Sequence, residues 1–289
     1  MFDFITLFCA IDDFFQKFES TYWNFLKQGK KRLRVRSSVL SLSEIVFIAI
    51  WYKCSHFNNF KAFFASLRQD NSHLFKSLPC YQRIIHLIQS HQLALHALHF
   101  ALMKDQQNAY LWVDSTTLPV CKNQRIQRHK SLAKIASRGK SSMGWFYGCK
   151  LHLIMNQSGE IVRTALSNRH TADIKMVEQL VDGLKAKLYA DRGYISQELK
   201  SKLKNKGIDL ITYHRKNMQA VGLSKADEYN LKQRNKIETL FSLLKGQYHL
   251  VTTKARSLEG YLAGIYATLC AYQLCHKNKP MIKVSEALA

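Results

Sequence analysis

The sequence predicts an α/β protein in which a mixed sheet with flanking helices follows an all-helical N-terminal region. Two observations lead to this fold class. The first 105 residues carry helix-start signals and apolar residues at helical spacing. From residue 106 onward, short apolar stretches alternate with helical segments, which is typical of a sheet covered by helices. We therefore expect a helical domain over residues 1–105 and an α/β domain over residues 106–289.

Three helix starts stand out in the N-terminal region. Ser41-Leu-Ser-Glu44 has the spacing of a capping box, Asn58 can cap a second helix, and Pro79 suits the first turn of a third. Because these short helices follow the basic stretch 30–36, they fit a helix-turn-helix that reads DNA ends. They also fit an ordinary helical bundle, so both interpretations stay open at this point.

Five strands are predicted after residue 105, and their order is informative. A helix over residues 172–184, with Thr171 as its cap, separates the third strand from the fourth. A helix that ends at Gly207 separates the fourth from the fifth, and a long helix bearing Glu238 follows. This order of elements is that of the ribonuclease H-like fold. The predicted strands cover residues 108–114, 144–155, 160–166, 188–191 and 208–213.

Three acids occupy positions that favour a catalytic site. Asp114 ends the run Tyr110-Leu-Trp-Val and Asp191 ends Lys187-Leu-Tyr-Ala, so each closes a short apolar stretch. In a ribonuclease H-like sheet the first and fourth strands are neighbours, which places these aspartates side by side. Glu238 lies on an amphipathic helix. We predict that the three acids form one catalytic, metal-binding trio.

Carboxylates that converge on one point repel each other, and divalent cations relieve that repulsion. Hard carboxylate oxygens favour Mg²⁺, and Mn²⁺ is expected to substitute for it. Two such ions can activate a nucleophile and stabilise the leaving oxygen of an in-line phosphoryl displacement. The chemistry that these acids predict is cleavage or transfer of phosphodiesters.

The charge of the chain indicates a polyanionic partner. Lys and Arg number 43 against 20 Asp and Glu, so the formal net charge is +23. Residues 1–105 carry 13 basic and 7 acidic side chains, whereas residues 106–289 carry 30 and 13. The predicted catalytic half is therefore the more basic one, and we expect DNA to be the partner.

The basic segment, residues 115–150, contains eight Lys or Arg and no acid. Such a segment repels itself unless an anion binds to it, although a solvated surface loop is the common alternative. Because it follows a candidate catalytic aspartate directly, we interpret it as a DNA contact. The predicted contacts are Arg125, Arg128, Lys130, Lys134, Arg138 and Lys140.

These residues resemble a family, the DDE transposases of bacterial insertion sequences, in the compact subgroup without an insertion domain in the catalytic core. In many of these enzymes a Tyr, an Arg, the catalytic Glu and a Lys follow at set intervals. Arg234, Glu238 and Lys245 keep those intervals, whereas Leu231 stands at the Tyr position. The other matching motifs are Val113-Asp-Ser-Thr116, Gly139-Lys-Ser-Ser-Met-Gly-Trp-Phe146, Lys150-Leu-His152, Ala190-Asp-Arg-Gly-Tyr194 and Leu78-Pro-Cys-Tyr-Gln-Arg83.

The resemblance implies a protein that binds the terminal inverted repeats of its element, cuts there and joins the 3′ hydroxyl to target DNA. It implies that two Mg²⁺ ions bind Asp114, Asp191 and Glu238, and that Arg234 and Lys245 grip phosphates. It also implies a homodimer or a higher oligomer on DNA. A nuclease of the same fold and a catalytically inactive DNA-binding relative remain alternatives.

Several other readings lose support from the sequence. Gly139-Lys-Ser lacks the earlier Gly of a phosphate-binding loop, so no nucleotide cofactor is expected. We expect a cytoplasmic, nucleoid-associated protein without a membrane span, because the apolar stretches are short or interrupted. Asp173 rivals the second catalytic acid, although it more simply favours the helix dipole at a helix start. His152 is either a DNA or water contact or a satisfied structural histidine.

Overall fold

The computed structural model divides the chain into two compact units. Unit 1 comprises Met1–Leu102 and Leu244–His276, and unit 2 comprises Met103–Leu243 and Lys277–Ala289. Unit 1 thus includes a C-terminal helix, a grouping that the sequence interpretation did not include. The residues that the structure describes are 3–29, 38–103, 108–141, 144–168, 173–213, 222–251 and 255–282.

Unit 1 is built from helices, as predicted for the N-terminal region. The last of them, α10, packs against α2, α4 and α5 through a mostly buried surface that includes Tyr261, Leu269 and Tyr272. Within the described residues, none of the helices combines the length and apolar character needed to cross a bilayer. The helices are α1 (Phe4–Gln28), α2 (Leu42–Cys54), α3 (Phe60–Asp70), α4 (Tyr81–Ser90), α5 (Gln92–Leu102) and α10 (Leu258–Cys275).

The helix starts agree with the sequence in one case, differ by one residue in a second and by two residues in a third. Ser41 and Glu44 form the predicted capping box of α2. The cap of α3 is Asn59 rather than Asn58, because the side chain of Asn59 accepts a hydrogen bond from the backbone of Ala62. Cys80 is the residue before α4, so Pro79 lies outside the first turn where we placed it.

Unit 2 contains a six-stranded mixed sheet. β3 pairs antiparallel with β1 along one side and with β2 and then β4 along the other. β1 pairs parallel with β5, and β5 pairs parallel with β6. This topology is the ribonuclease H-like fold, and it confirms the predicted class. The strands are β1 (Tyr110–Cys121), β2 (Ser137–Ser141), β3 (Gly144–Asn156), β4 (Ile161–Ser167), β5 (Ala186–Ala190) and β6 (Ile208–Thr212).

Two details of the sheet correct the prediction. β1 does not end at Asp114 but continues to Cys121, because its second half pairs with the first half of β3. The basic segment also contributes β2, a sixth strand that the sequence interpretation missed. The segment is therefore largely strand and short turns rather than an extended loop.

Helices cover the sheet and carry the remaining parts of the site. α6 (Asp173–Leu180) and α7 (Gln197–Asn205) contribute Val177, Leu180, Leu199 and Leu203 to a buried core with the central strands. The predicted cap Thr171 lies outside the described residues. Gly207 follows α7 with φ +82°, the left-handed stop that we expected.

The long helix predicted to carry Glu238 is two helices. α8 (Lys225–Lys232) ends in a turn at Gln233 and Arg234, and α9 (Asn235–Gly246) begins directly after it. The turn places Arg234 outside regular helix, immediately before the helix that bears Glu238.

Candidate active site

The pairing of β1 with β5 determines how the two aspartates meet. Tyr110 pairs with Lys187 and Trp112 with Tyr189, a constant offset of 77 positions. Continuing this register sets Asp114 beside Asp191, which immediately follows β5. The register of these two strands therefore supports the adjacency that the order of elements predicts.

Asp114 is a largely buried carboxylate with two bonding partners. Its side chain is 20% exposed, Oδ1 accepts the backbone N–H of Ser115 at 2.8 Å, and Oδ2 accepts Nη1 of Arg234 at 3.0 Å. Burial, together with the charges of Asp191 and Glu238, raises the pKa of Asp114 to about 6 despite Arg234 and the Ser115 hydrogen bond. The charges of Asp191 and Glu238 therefore both act on the carboxyl group of Asp114.

Arg234 links the strand carboxylate to the helix carboxylate. While Nη1 bonds Asp114, Nη2 bonds Oε1 of Glu238, also at 3.0 Å. The arginine side chain is 21% exposed and that of Glu238 is 58% exposed. Because hydrogen bonds between ionised groups are strong, the guanidinium fixes the first turn of α9 against β1.

A hydrogen-bond network on the same face of the sheet positions Arg234. Nε1 of Trp112 donates to the carbonyl of Asn230 at 3.0 Å, and Nδ2 of Asn230 donates to the hydroxyl of Tyr189 at 3.1 Å. That hydroxyl donates to Asp227 at 2.9 Å. These bonds hold α8 against β1 and β5, and Arg234 lies in the turn that follows α8.

Sequence reasoning missed this network, although a signal for it exists. Trp112 and Tyr189 each stand two residues before a candidate catalytic aspartate, so each lies on the same face of its strand as that aspartate. Their rings stack with centroids 5.4 Å apart. The partners Asp227 and Asn230 depend on how α8 folds back, which no local pattern indicates.

The three carboxylates suit a divalent cation in their chemistry, but Arg234 separates two of them. Oxygen donors of this kind are those that Mg²⁺ and Mn²⁺ prefer. In the part of the chain that the structure describes, no three His, Cys, Asp or Glu side chains already form a metal-binding group. The guanidinium stands between Asp114 and Glu238 as a cation, so it neutralises the charge that a metal ion would neutralise.

The predicted DNA contacts of the basic segment lie on the surface. Arg125, Arg128, Lys130 and Lys134 are exposed, and no described carboxylate lies within ion-pair distance of any of them. Elsewhere in unit 2, Lys202 is paired, since it bonds Glu198 at 2.8 Å. These four cations therefore keep their charge available for an anionic partner.

An exposed cation and an exposed aromatic ring stand together on the β2–β3 hairpin. Cζ of Arg138 lies 4.9 Å from the ring centroid of Trp145, which is 50% exposed. Asn123 fixes the strand beneath by donating to the carbonyl of Trp145 at 2.8 Å. Sequence reasoning selected Arg138 but not Trp145. The side chain of Lys140, the next predicted contact, lies outside the described residues.

The remaining candidates occupy less exposed or less defined positions. Lys245 lies in the last turn of α9, seven residues after Glu238, where its half-buried side chain has a pKa lowered by burial. Leu231, at the family's Tyr position, is buried. Asp173 begins α6, with its side chain outside the described residues. His152 is fully buried and bonds Ser167 at 2.7 Å, which favours a structural role over a DNA contact.

The fold defines the broad class, since the sheet is ribonuclease H-like, with β1 and β5 paired parallel at its centre. The family follows from the sequence itself. The model of the family described as "Transposase DDE domain" matches residues 104–258, more than half of the chain. The protein belongs to this family of DDE transposases. No curated protein matches the sequence significantly.

The solved structures that match the chain are distant in sequence. The cryo-EM synaptic complex of piggyBac transposase with hairpin DNA is 12% identical over 86% of this chain and 69% of that chain, with a TM-score of 0.48. The crystal structure of the Mos1 mariner paired-end complex is 11% identical over 92% of this chain and 87% of that chain, with a TM-score of 0.26.

Proposed function

We propose that this transposase binds the terminal inverted repeats of its element, cleaves at their ends and transfers the 3′ hydroxyl to target DNA. The observation that supports the proposal is that Arg234 bonds both Asp114 and Glu238, while the register of β1 and β5 runs toward Asp114 and Asp191. Carboxylates placed this way are costly unless cations compensate them, so the arrangement suits metal-dependent phosphoryl transfer.

Asp114, Asp191 and Glu238 are the residues that would hold two Mg²⁺ ions. When bound, the ions would lower the charge at the attacking and leaving oxygens of an in-line displacement. Asp114 needs to be ionised to serve as a ligand, and Arg234 promotes that state by stabilising its charge. Arg234, which pairs with Asp114 and Glu238 in this structure, would supply a cation for a DNA phosphate when those carboxylates hold the ions.

The exposed cations of the basic segment would carry the DNA up to this site. Arg125, Arg128, Lys130 and Lys134 supply charge without a described carboxylate partner, and Arg138 with Trp145 supplies a cation beside a flat ring. Phosphate contacts of this kind give salt-dependent affinity without reading sequence. Because two ends of an element must be joined, we propose that two or more protomers act together.

The test is incubation of the purified chain with a plasmid that carries the sequences flanking its gene, with Mg²⁺ or with chelator, followed by mapping of every new 3′ end and junction. Metal-dependent breaks at the ends with joined products are expected. Breaks without joining would instead indicate a nuclease, and binding without breaks would indicate an inactive relative.

Isosteric variants test whether cleavage depends on the three carboxylates. Asp114→Asn, Asp191→Asn and Glu238→Gln should each abolish cleavage while leaving DNA binding in place. Undiminished cutting by any of the three would remove that residue from the proposed metal site. Lys202→Gln is a matched surface control, because Lys202 lies in the same unit and is paired with Glu198.

A further inference from the structure

The helical groove is an open cavity of about 640 Å³ among α2, α3, α4 and α10 in unit 1. This volume lies within the range of about 300–1,000 Å³ that is typical of pockets for small organic molecules. Along α10 its lining residues are small: Gly260, Ala263, Gly264 and Ala267. A β-carbon placed on Gly264 would meet nothing within 4 Å, so the space above this residue is open.

One wall of the helical groove is aromatic. Tyr52, Phe60 and Tyr81 come from three different helices and form a continuous row. The ring centroids of Tyr52 and Phe60 are 5.3 Å apart, and those of Phe60 and Tyr81 are 6.2 Å apart. Flat rings at the side of an open groove present a stacking surface for another planar ring.

The charged groups that line the helical groove are all cations. Lys53 is 5% exposed, and its Nζ donates to the carbonyl of His249 at 3.1 Å. Within the described residues no carboxylate pairs with it, and burial lowers its pKa to about 8. Lys61 and Arg256 add exposed positive charge, and Asn59 and Gln89 add amide donors and acceptors. A buried cation without a counter-anion favours an anionic ligand.

We propose that the helical groove binds an unpaired nucleotide of DNA, with its base against the aromatic row and its phosphate near Lys53, Lys61 and Arg256. Aromatic stacking and a cationic groove are the two features by which proteins hold single-stranded bases. The amides offer hydrogen bonds to the edge of a base taken out of the stack. The inference rests on the proposed function, since that function makes DNA the ligand.

The test compares two labelled duplexes by fluorescence anisotropy with the full chain. One duplex is fully paired, and the other carries a single unpaired nucleotide. The wild-type protein should bind the second duplex about tenfold more tightly, a preference of the size expected for one stacked base. Equal binding of both duplexes by the wild-type protein would overturn the proposal.

Two variants locate the preference in the helical groove. Gly264→Leu fills the open space with a better helix former, and Tyr81→Leu keeps apolar volume but removes a stacking ring. Both should reduce the tenfold preference to less than about twofold. Gly246→Leu is the matched control, because Gly246 also faces open space but does not line the groove. Circular dichroism verifies that each variant is folded.

Different results would contradict the groove proposal and the proposed function. If the wild-type protein cleaves element ends but Gly264→Leu keeps the full preference, the groove proposal alone fails. If the preference disappears with Gly264→Leu and persists in the control, the groove proposal stands. The groove proposal would stand even if no metal-dependent break were found. That result would contradict the proposed function alone.

Discussion

At the scale of single residues, Asp114 is a carboxylate in a largely buried position, and burial disfavours its ionised form. Its folded pKa of about 6 lies above the ordinary value, so the folded state binds this proton more tightly than the unfolded state does. The stability that the protonated group contributes is therefore present at low pH and is lost as pH rises from about 4 to about 6. At neutral pH the ionised carboxylate is a net cost to folding.

Asp114→Asn should consequently stabilise the protein in chelator while it abolishes cleavage. We expect a gain of about 1–3 kcal/mol in the free energy of unfolding at pH 7.5 and a much smaller gain at pH 4. Denaturant melts at the two pH values measure both quantities. A variant less stable than wild type at pH 7.5 would show that the bond to Arg234 outweighs the cost of burial.

Arg234 should have the opposite effect, because it compensates the acids before metal binds. In chelator, Arg234→Gln should lower the free energy of unfolding at pH 7.5 by about 1–3 kcal/mol, the range for hydrogen bonds to charged groups. Added Mg²⁺ should then raise its melting temperature by more than it raises that of the wild type. Thermal melts of both proteins with chelator and with Mg²⁺ test this.

An equal Mg²⁺ response in the two proteins would mean that Arg234 does not compete with metal for the carboxylates. Arg234→Lys is a useful comparison, since it keeps the charge but loses the two-pronged geometry. It should fall between wild type and Arg234→Gln in chelator.

The sequence indicated candidate acids but did not indicate the residues that position them. Asp114 and Asp191 could be selected because each closes a short apolar stretch of sequence, and the order of elements predicted that they lie side by side. Asn230 and Asp227 could not, because their role depends on α8 returning to the sheet over a distance of about 40 to 120 residues along the chain.

At the scale of elements, the β2–β3 hairpin turns a run of like charges into an ordered cationic surface. Pairing of Arg138 with Tyr147 and of Gly139 with Phe146 adds β2 to the sheet beside β3. The sequence interpretation missed β2 because its residues, Ser-Arg-Gly-Lys-Ser, lack the apolar alternation that marks a strand. Cross-strand pairing with β3 supplies the stability that the local sequence does not.

Removing one phosphate contact from the basic segment should weaken DNA binding evenly across sequences. We expect Lys134→Gln to reduce the slope of log affinity against log salt by about one. Lys202→Gln, which removes a paired lysine from α7, should leave the slope unchanged. Binding titrations at several salt concentrations measure the slope, and an equal slope for Lys134→Gln and wild type would exclude Lys134 as a phosphate contact.

Trp145→Ala should affect single-stranded DNA more than duplex DNA, because an exposed ring beside a guanidinium stacks on an unpaired base. We expect a loss of about fivefold or more in affinity for a short single-stranded oligonucleotide. Anisotropy titrations of the variant and of wild type provide the comparison. Equal losses for the two kinds of DNA would indicate a phosphate-positioning role for the Arg138–Trp145 pair instead.

At the scale of the whole molecule, distant parts of the chain form one helical unit. In α10, Cys270 donates to the carbonyl of Leu95 at 3.7 Å, and Gln273 donates to the carbonyl of Leu102 at 2.9 Å. Helical periodicity could predict α10 but not its partner, because a buried helix with apolar residues on all sides does not indicate which surface covers it.

A fragment of residues 1–105 should therefore fail to fold by itself. Loss of α10 would expose the surfaces of α2, α4 and α5 that it covers, and each large apolar side chain left uncovered costs about 1.5–3 kcal/mol. We expect weak helical circular dichroism, binding of a hydrophobic dye and no cooperative melt, whereas the full chain melts cooperatively. Adding a peptide of residues 244–276 should restore part of the helical signal, because it returns the missing packing surface. A fragment that melts cooperatively without the peptide would show that the N-terminal helices hold a sufficient core of their own.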